Sequence, residues 1–260
     1  AADPCVHCGF CLPTCASYRV LASEMDSPRG RIHALRAIEA GELELDATVA
    51  SHFDTCLGCY ACVSACPSGV RYDQLIEATR PKLNQLQHRS SWQISFRQLL
   101  LQVLPYPRRL RALLQPLRAY AGTPLQAFAR RSGLTRLFGP EVEAMEQLLP
   151  ALAPESFNDA LPAINPATGD RRGRVALLLG CVQRCFDPAV SIATVKVLQA
   201  NGFEVVIPPD QGCCGAVSQH QGELELTRQL ASDLVSSMNG VDGDLDAVLV
   251  AASGCGHTMK

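Results

Sequence analysis

The alternation of apolar and polar positions is clearest in the last third of the chain. Arg-Val-Ala-Leu-Leu-Leu-Gly at 174–180 is a short continuous apolar run, the pattern of a buried strand. Asp187-Pro188 then opens a helix to about residue 200, with Asp187 as N-cap and Pro188 in the first helical position. Asn201-Gly202 ends it. Phe-Glu-Val-Val-Ile at 203–207 predicts a second strand, residues 215–238 are mainly helix, and Leu-Asp-Ala-Val-Leu-Val-Ala at 245–251 predicts a third strand. The order β-α-β-α-β predicts a parallel, right-handed α/β sheet.

Upstream the pattern changes. Phe96, Leu99, Leu100, Val103 and Leu104, then Leu110, Leu113, Leu114 and Leu117, recur at helical spacing in short stretches. Prolines at 105, 107, 116 and 124 break them, which predicts two or three short amphipathic helices between 91 and 138. Residues 150–172, with Pro150, Pro154, Pro162, Pro166 and Gly169, read as a linker. Residues 18–25 and 32–41 read as helical pieces joined by a turn at Ser27-Pro28-Arg29-Gly30.

Thirteen cysteines change the picture. Cys5, Cys8, Cys11 and Cys15 follow the spacing C-x2-C-x2-C-x3-C, and Cys56, Cys59, Cys62 and Cys66 repeat it, with Pro67 next. This is the run of two-cluster bacterial ferredoxins. Three thiolates two residues apart can wrap one face of a [4Fe–4S] cube, and the fourth ligand comes from the other run. Cys5, Cys8, Cys11 and Cys66 are therefore assigned to a first cluster, and Cys56, Cys59, Cys62 and Cys15 to a second. Zinc sites use paired C-x2-C knuckles, and disulfide scaffolds are short and secreted, so both fit the run less well. His7, inside the first run, reads as a loop histidine. The forty-residue insert between the runs suggests helices, rather than a small sheet, around the clusters. Arg29, Arg31 and Arg36 either offset cluster charge or face water; spacing does not decide.

The remaining cysteines fall at strand ends. Cys181 follows the first predicted strand, Cys213 and Cys214 the second, and Cys255 the third. Ligands of open α/β sheets bind beyond the carboxyl ends of the strands. Four thiols at one sheet edge predict a metal or redox site. Cys185 is a spare thiol, and His220 and His257 read as neighbours of the site rather than ligands.

Charge divides the chain the same way. Residues 1–77 carry 5 basic and 10 acidic side chains, residues 78–140 carry 11 basic and none acidic, and residues 141–260 carry 7 and 15. The expected architecture is an α+β multidomain chain: a helical ferredoxin-type two-cluster module (1–80), a basic helical connector and linker (81–172), and a parallel α/β domain (173–260). The block at 78–140 is either a face for anionic lipid headgroups or an acidic partner, or an ordinary solvated helical face. A net charge of −2 and only 5% aromatic residues argue against nucleic acid as a partner. No apolar run is long enough for a membrane-spanning helix. No Gly-x-Gly-x-x-Gly follows a strand, so no flavin or nicotinamide site is expected on this chain.

Cys-Val-His-Cys-Gly-Phe-Cys at 5–11, Ser-Pro-Arg-Gly-Arg-Ile at 27–32, Cys-Pro-Ser-Gly-Val-Arg-Tyr at 66–72, Gly-Cys-Cys-Gly-Ala-Val at 212–217 and Ala-Ser-Gly-Cys-Gly at 252–256 resemble the iron–sulfur subunit of bacterial glycolate oxidase (glycolate dehydrogenase). The Cys-Cys-Gly element also marks the wider superfamily of heterodisulfide reductase, lactate-utilisation and anaerobic glycerol-3-phosphate dehydrogenase subunits. The resemblance implies an electron-transfer subunit with two [4Fe–4S] clusters and no catalytic residue acting on substrate. It implies flavin-bearing partner subunits, holding the FAD, that oxidise glycolate to glyoxylate. It implies a quinone-type membrane acceptor, with the complex peripheral on the cytoplasmic face of the bacterial inner membrane. A lactate or glycerol-3-phosphate dehydrogenase subunit, or a reductase with catalysis at the Cys-Cys-Gly site, is the alternative. The family carries two Cys-Cys-Gly halves and this sequence has one, so the sequence is taken to be the N-terminal part of a family chain. Thr258 stands where some relatives have the last cysteine. That leaves Cys181, Cys213, Cys214 and Cys255 as the set for a further cluster.

Overall fold

The computed structural model describes residues 4–86, 90–158 and 161–259. Two compact units form: Ala1–Arg97 with Ala216–Thr227, and Gln98–Gly215 with Arg228–Lys260.

In the first unit, helix α1 (Ala16–Leu21) begins directly after Cys15. It stops at Ala22, whose φ of 52° is left-handed and whose N–H returns to the Tyr18 carbonyl. The helix expected over 18–25 is thus cut short, and a 3-10 turn at Glu24–Asp26 follows. Helix α2 (Pro28–Glu39) corrects the expected turn at 27–30. Ser27 caps it, its hydroxyl oxygen accepting the Gly30 N–H at 3.0 Å, and Pro28 occupies the first turn, where a missing N–H is harmless. Helix α3 (Ala47–Asp54) is capped by Asp46, which accepts the Val49 N–H at 2.8 Å. The short α4 (Ala61–Ser64) lies inside the second cysteine run, and α5 (Tyr72–Leu86) comes after that run. Ile32, Val49, Phe53, Cys62, Val70, Tyr72, Ile76 and Leu83 form the core. The described elements of this unit are all helical.

The connector forms α6 (Ser91–Val103), α7 (Pro107–Leu114), α8 (Pro124–Ser132) and α9 (Pro140–Leu148), with 3-10 turns at Pro116–Ala119 and Leu134–Phe138. Pro107, Pro116, Pro124 and Pro140 each stand in the first turn of an element, so they start helices as much as they end them. The basic block takes carboxylates from just beyond it: Arg130 pairs with Glu146 at 3.1 Å and Arg136 with Glu143 at 3.0 Å. Residues 87–89 of that block lie outside the described residues.

The three predicted strands pair in parallel, but a fourth strand makes the sheet mixed. Strands β1 (Ile164–Asn165), β2 (Gly173–Leu178), β3 (Phe203–Val206) and β4 (Ala247–Val250) lie in the order β1-β3-β2-β4. β2 runs parallel to β3 and to β4, but β1 pairs antiparallel with β3, Ile164 opposite Val206, so the sheet is mixed. β1 lies inside the stretch read as linker, of which residues 159 and 160 are outside the described residues. A two-residue edge strand is too short to show alternation, and its anchor is a side chain: buried Asn165 donates to the carbonyls of Pro162 (2.8 Å) and Val205 (3.3 Å). Between β2 and β3 come α10 (Gln183–Phe186) and α11 (Pro188–Ala200). Asp187 precedes α11 as expected, but its side chain makes no capping hydrogen bond. The helix expected over 215–238 is split into α12 (Ala216–His220) and α13 (Leu224–Asn239), with Gly222 at φ 77° in the break. Helix α14 (Ser253–Thr258) comes after β4. Val175, Leu177, Leu179, Val195, Val205 and Ile207 form the sheet core.

Candidate metal centre

The two cysteine runs trace the same backbone path. In the first, His7 (φ 54°) and Gly9 (φ 87°) flank Cys8; in the second, Gly58 (φ 66°) and Tyr60 (φ 54°) flank Cys59. Each loop therefore needs left-handed residues on both sides of its middle cysteine, and each has glycine at only one of them. The turns bring the eight thiols around two cavities. One is lined by Cys5, Cys8, Cys11 and Cys66, together with Cys62. The other is lined by Cys15, Cys56, Cys59 and Cys62. Pro28, Cys62 and Tyr72 line both and form the wall between them. Among the described residues no three His, Cys, Asp or Glu side chains are gathered closely enough to hold a single ion. Thiols spread around a cavity suit a cluster, because its ligands attach at separate corners.

The electrostatics agree with that donor set. Burial, then the neighbouring thiolates led by Cys56, pushes the Cys62 thiol up to about 12. Burial raises Cys11 as well, against hydrogen bonding and charge from Arg29. A raised pKa keeps such thiols protonated until a cation binds, because a metal ligand must be the thiolate. Hydrogen bonds also reach the sulfurs: the Val70 N–H to Cys66 Sγ at 3.5 Å and the Tyr72 hydroxyl to Cys56 Sγ at 3.8 Å.

The three arginines that spacing left undecided all reach the loops. Arg29 donates to the His7 carbonyl at 3.1 Å and pairs with Glu24 at 2.6 Å. Arg36 donates to the Cys5 carbonyl at 3.2 Å and lies 3.2 Å from His7 Nε2. Arg31 lines the second cavity and is 1% exposed. It donates to the His52 carbonyl (2.7 Å), Thr55 Oγ1 (2.7 Å) and Ser17 Oγ (3.2 Å), with Asp26 at 3.8 Å. Asp26, the acidic partner of this hub, was not legible as such in the sequence.

In the second unit the strand order explains why separate cysteines meet. β2 lies between β3 and β4, so the loops after all three strands are neighbours at the carboxyl edge, where the chain passes from β2 to β3 on one side and then from β3 back past β2 to β4 on the other. Cys181 Sγ lies 3.3 Å from Cys213 Sγ. Hydrogen bonding from Cys213 holds Cys181 below the ordinary thiol range, and the same contact, with Cys214 and burial, pushes Cys213 far up. Cys255, on α14, is raised by Cys214 and by burial. The four thiols are thus one interacting set. Gln211, which sequence reasoning missed, joins the loops: its Oε1 accepts the Leu179 N–H at 2.7 Å and its Nε2 donates to the Leu177 carbonyl at 3.2 Å. Cys185 is elsewhere, fully buried with Leu110 and Leu114. His220 packs in the first unit, its Nδ1 3.1 Å from the Tyr60 hydroxyl. His257 lies on α14, two residues after Cys255.

These features define a class, an iron–sulfur protein with a dicluster domain and a cysteine-rich domain. Residues 1–70 match the 4Fe-4S dicluster domain and residues 175–260 the cysteine-rich domain. Residues 92–149 match the family described as glycolate oxidase iron-sulfur subunit, linker region. The chain resembles glycolate oxidase iron–sulfur subunits along nearly its whole length. It is 35% identical to the probable glycolate oxidase iron-sulfur subunit of Bacillus subtilis over 97% of this chain and 57% of that protein. It is 33% identical to the glycolate oxidase iron-sulfur subunit of Escherichia coli over 98% of this chain and 57% of that protein. Lactate utilization protein A of Macrococcus caseolyticus is 34% identical over 33% of this chain and 33% of that protein. The chain therefore spans a little over half the length of the two relatives it matches end to end. No solved structure matches it.

Proposed function

We propose that this chain is the electron-transfer part of a glycolate dehydrogenase (glycolate oxidase). In this reading a flavin-bearing subunit, holding FAD, oxidises glycolate to glyoxylate, and this chain passes the electrons towards a quinone-type acceptor. The observation that carries it is the sorting of eight thiols around two cavities, in a chain that aligns end to end with glycolate oxidase iron–sulfur subunits.

Cys5, Cys8, Cys11 and Cys66 would hold one [4Fe–4S] cluster, and Cys56, Cys59, Cys62 and Cys15 the other. Such a cluster supplies one-electron transfer when bound. Arg29 and Arg36 brace the first loop, Arg31 lines the second cavity, and Val70 and Tyr72 hydrogen-bond the sulfurs. Cys181, Cys213, Cys214 and Cys255 are the proposed seat of a further iron–sulfur cluster, supported by the 3.3 Å approach of the Cys181 and Cys213 sulfurs and by the strand order that makes their loops neighbours. No described helix is long and apolar enough to cross a membrane. Peripheral contact is proposed for residues 78–140, where Trp92, Phe128 and Leu137 are exposed among the basic side chains.

Anaerobic iron and acid-labile sulfide analysis with EPR of the reduced protein tests this. About eight irons with two interacting cubane signals supports the relay, and about twelve adds the strand-end site. Stoichiometric zinc with no iron after anaerobic reconstitution would sink electron transfer, because zinc is redox-inert.

A further inference from the structure

We propose that His220 is a positioning residue for the second four-thiol set: it holds Tyr60, and through it the loop around Cys59. The inference rests on the reading that Cys15, Cys56, Cys59 and Cys62 bind a cluster. His220 lies within the sequence that matches the cysteine-rich domain, yet the segment that carries it, Ala216–Thr227, packs in the first unit.

Tyr60 comes directly after Cys59 in the left-handed region, at φ 54°. A non-glycine residue there is strained and persists only where its surroundings hold it. The matching position in the first run is Gly9, which needs no such support. Tyr60 is held from two sides. Its hydroxyl donates to Glu77 Oε1 at 2.7 Å. That uses its one proton, so the 3.1 Å contact with His220 Nδ1 has the imidazole N–H as donor and the phenol oxygen as acceptor. The two rings meet edge to face, 5.2 Å apart at 75°. On the other side of Cys59, a Cβ on Gly58 would come within 3.2 Å of His220 Cγ. The imidazole thus covers both neighbours of Cys59.

His220 is itself fixed by its neighbours along the chain. The Gln221 carbonyl accepts from Asn84 Nδ2 at 2.7 Å, and Glu223 pairs with Arg97 at 2.9 Å. A Cβ on Gly222 would lie 3.0 Å from the Arg80 and Pro81 backbone, so the segment lies directly against α5. The break between α12 and α13 is what lets the chain make this contact.

Cluster potential depends on hydrogen bonding and solvent exposure. The reduced form carries one more negative charge, which water stabilises. Uncovering the loop therefore raises the potential of that cluster alone.

The test is a redox titration, monitored by EPR, of the full chain reconstituted anaerobically. His220→Ala should raise the midpoint of one cluster by the equivalent of about tenfold in its oxidised-to-reduced ratio, ~59 mV for one electron, and leave the other in place. Tyr60→Phe should move the same cluster the same way, and the double variant no further than the larger single one. His220→Asn, whose amide can stand where Nδ1 stands, should restore the value. A merely structural role would lower occupancy without moving one midpoint selectively. If His220→Ala fails to assemble, Tyr60→Phe and His220→Asn decide the matter. Both clusters present with both midpoints unmoved in His220→Ala, or in Tyr60→Phe where His220→Ala does not assemble, overturns the inference. An unaltered chain that binds no iron overturns the cluster reading, and this inference with it.

Discussion

Gly30 faces the carbonyl oxygen of Glu24 so closely that a Cβ on residue 30 would collide with it. The contact gives the Ser-Pro-Arg-Gly-Arg-Ile element a physical meaning. Ser27 caps α2, Pro28 begins it, Arg29 reaches the first cysteine loop, Gly30 admits the preceding 3-10 turn, Arg31 fills the polar hub and Ile32 enters the core. Gly30→Ala forces backbone apart and is expected to cost about 1–3 kcal/mol or more. The urea midpoint should fall with an unchanged slope. Iron bound by the first thiol set should fall too, since Arg29 loses its register on the His7 carbonyl. An unchanged midpoint would show that the 3-10 turn yields freely.

The crossed ligand sets make a prediction that adjacency in sequence does not. Cys66→Ala should abolish the same EPR signal as Cys8→Ala, although Cys66 lies in the other run. Cys15→Ala should likewise match Cys59→Ala. Signals that pair by run, Cys15 with Cys8 and Cys66 with Cys59, would refute the crossing.

Cys185 is expected to behave as a core residue. It is fully buried against Leu110 and Leu114. Cys185→Ser should lower stability by about 1–3 kcal/mol through burial of a hydroxyl, and Cys185→Val by less, read from denaturant unfolding. Iron content should stay the same in both. Loss of iron in both variants would make Cys185 a ligand.

Glu146 ties α8 to α9. Burial raises its carboxyl, but hydrogen bonds from Gln126, Arg130 and Tyr120 outweigh this and hold it below the usual range. Its folded pKa is lower than its unfolded value of about 4.3, so the folded state binds fewer protons and stability rises with pH through that window. The contribution is full above the unfolded pKa and is lost as pH falls through the folded one. Glu146→Gln should flatten this part of the acid-unfolding profile and lower stability near neutrality, where the contribution is full. An identical acid limb in both proteins would contradict it.

The peripheral helices show how far local signals reach. Pro28, Pro107, Pro124 and Pro188 all stand at helix starts, because a fixed φ and a missing N–H suit that position wherever it occurs. The turn expected at 27–30 failed because the same residues, serine then proline, also spell a helix cap. The arrest of α1 at Ala22 had no signal, since alanine has no local preference for the left-handed region from which its N–H returns to the Tyr18 carbonyl. β1 was missed because two residues carry no period, and it exists only through its pairing with β3.

The sequence by itself determined the thiol spacing, the three long strands and the placing of four cysteines at strand ends, because these are periodic or local and every copy of the pattern meets the same backbone constraints. Tertiary structure alone decided the rest. It set the strand order that makes three loops neighbours, the burial of Arg31 beside Asp26, and the packing of His220 on Tyr60. Those contacts join residues 5 to 160 positions apart, and their strength comes from burial and geometry that no local pattern records.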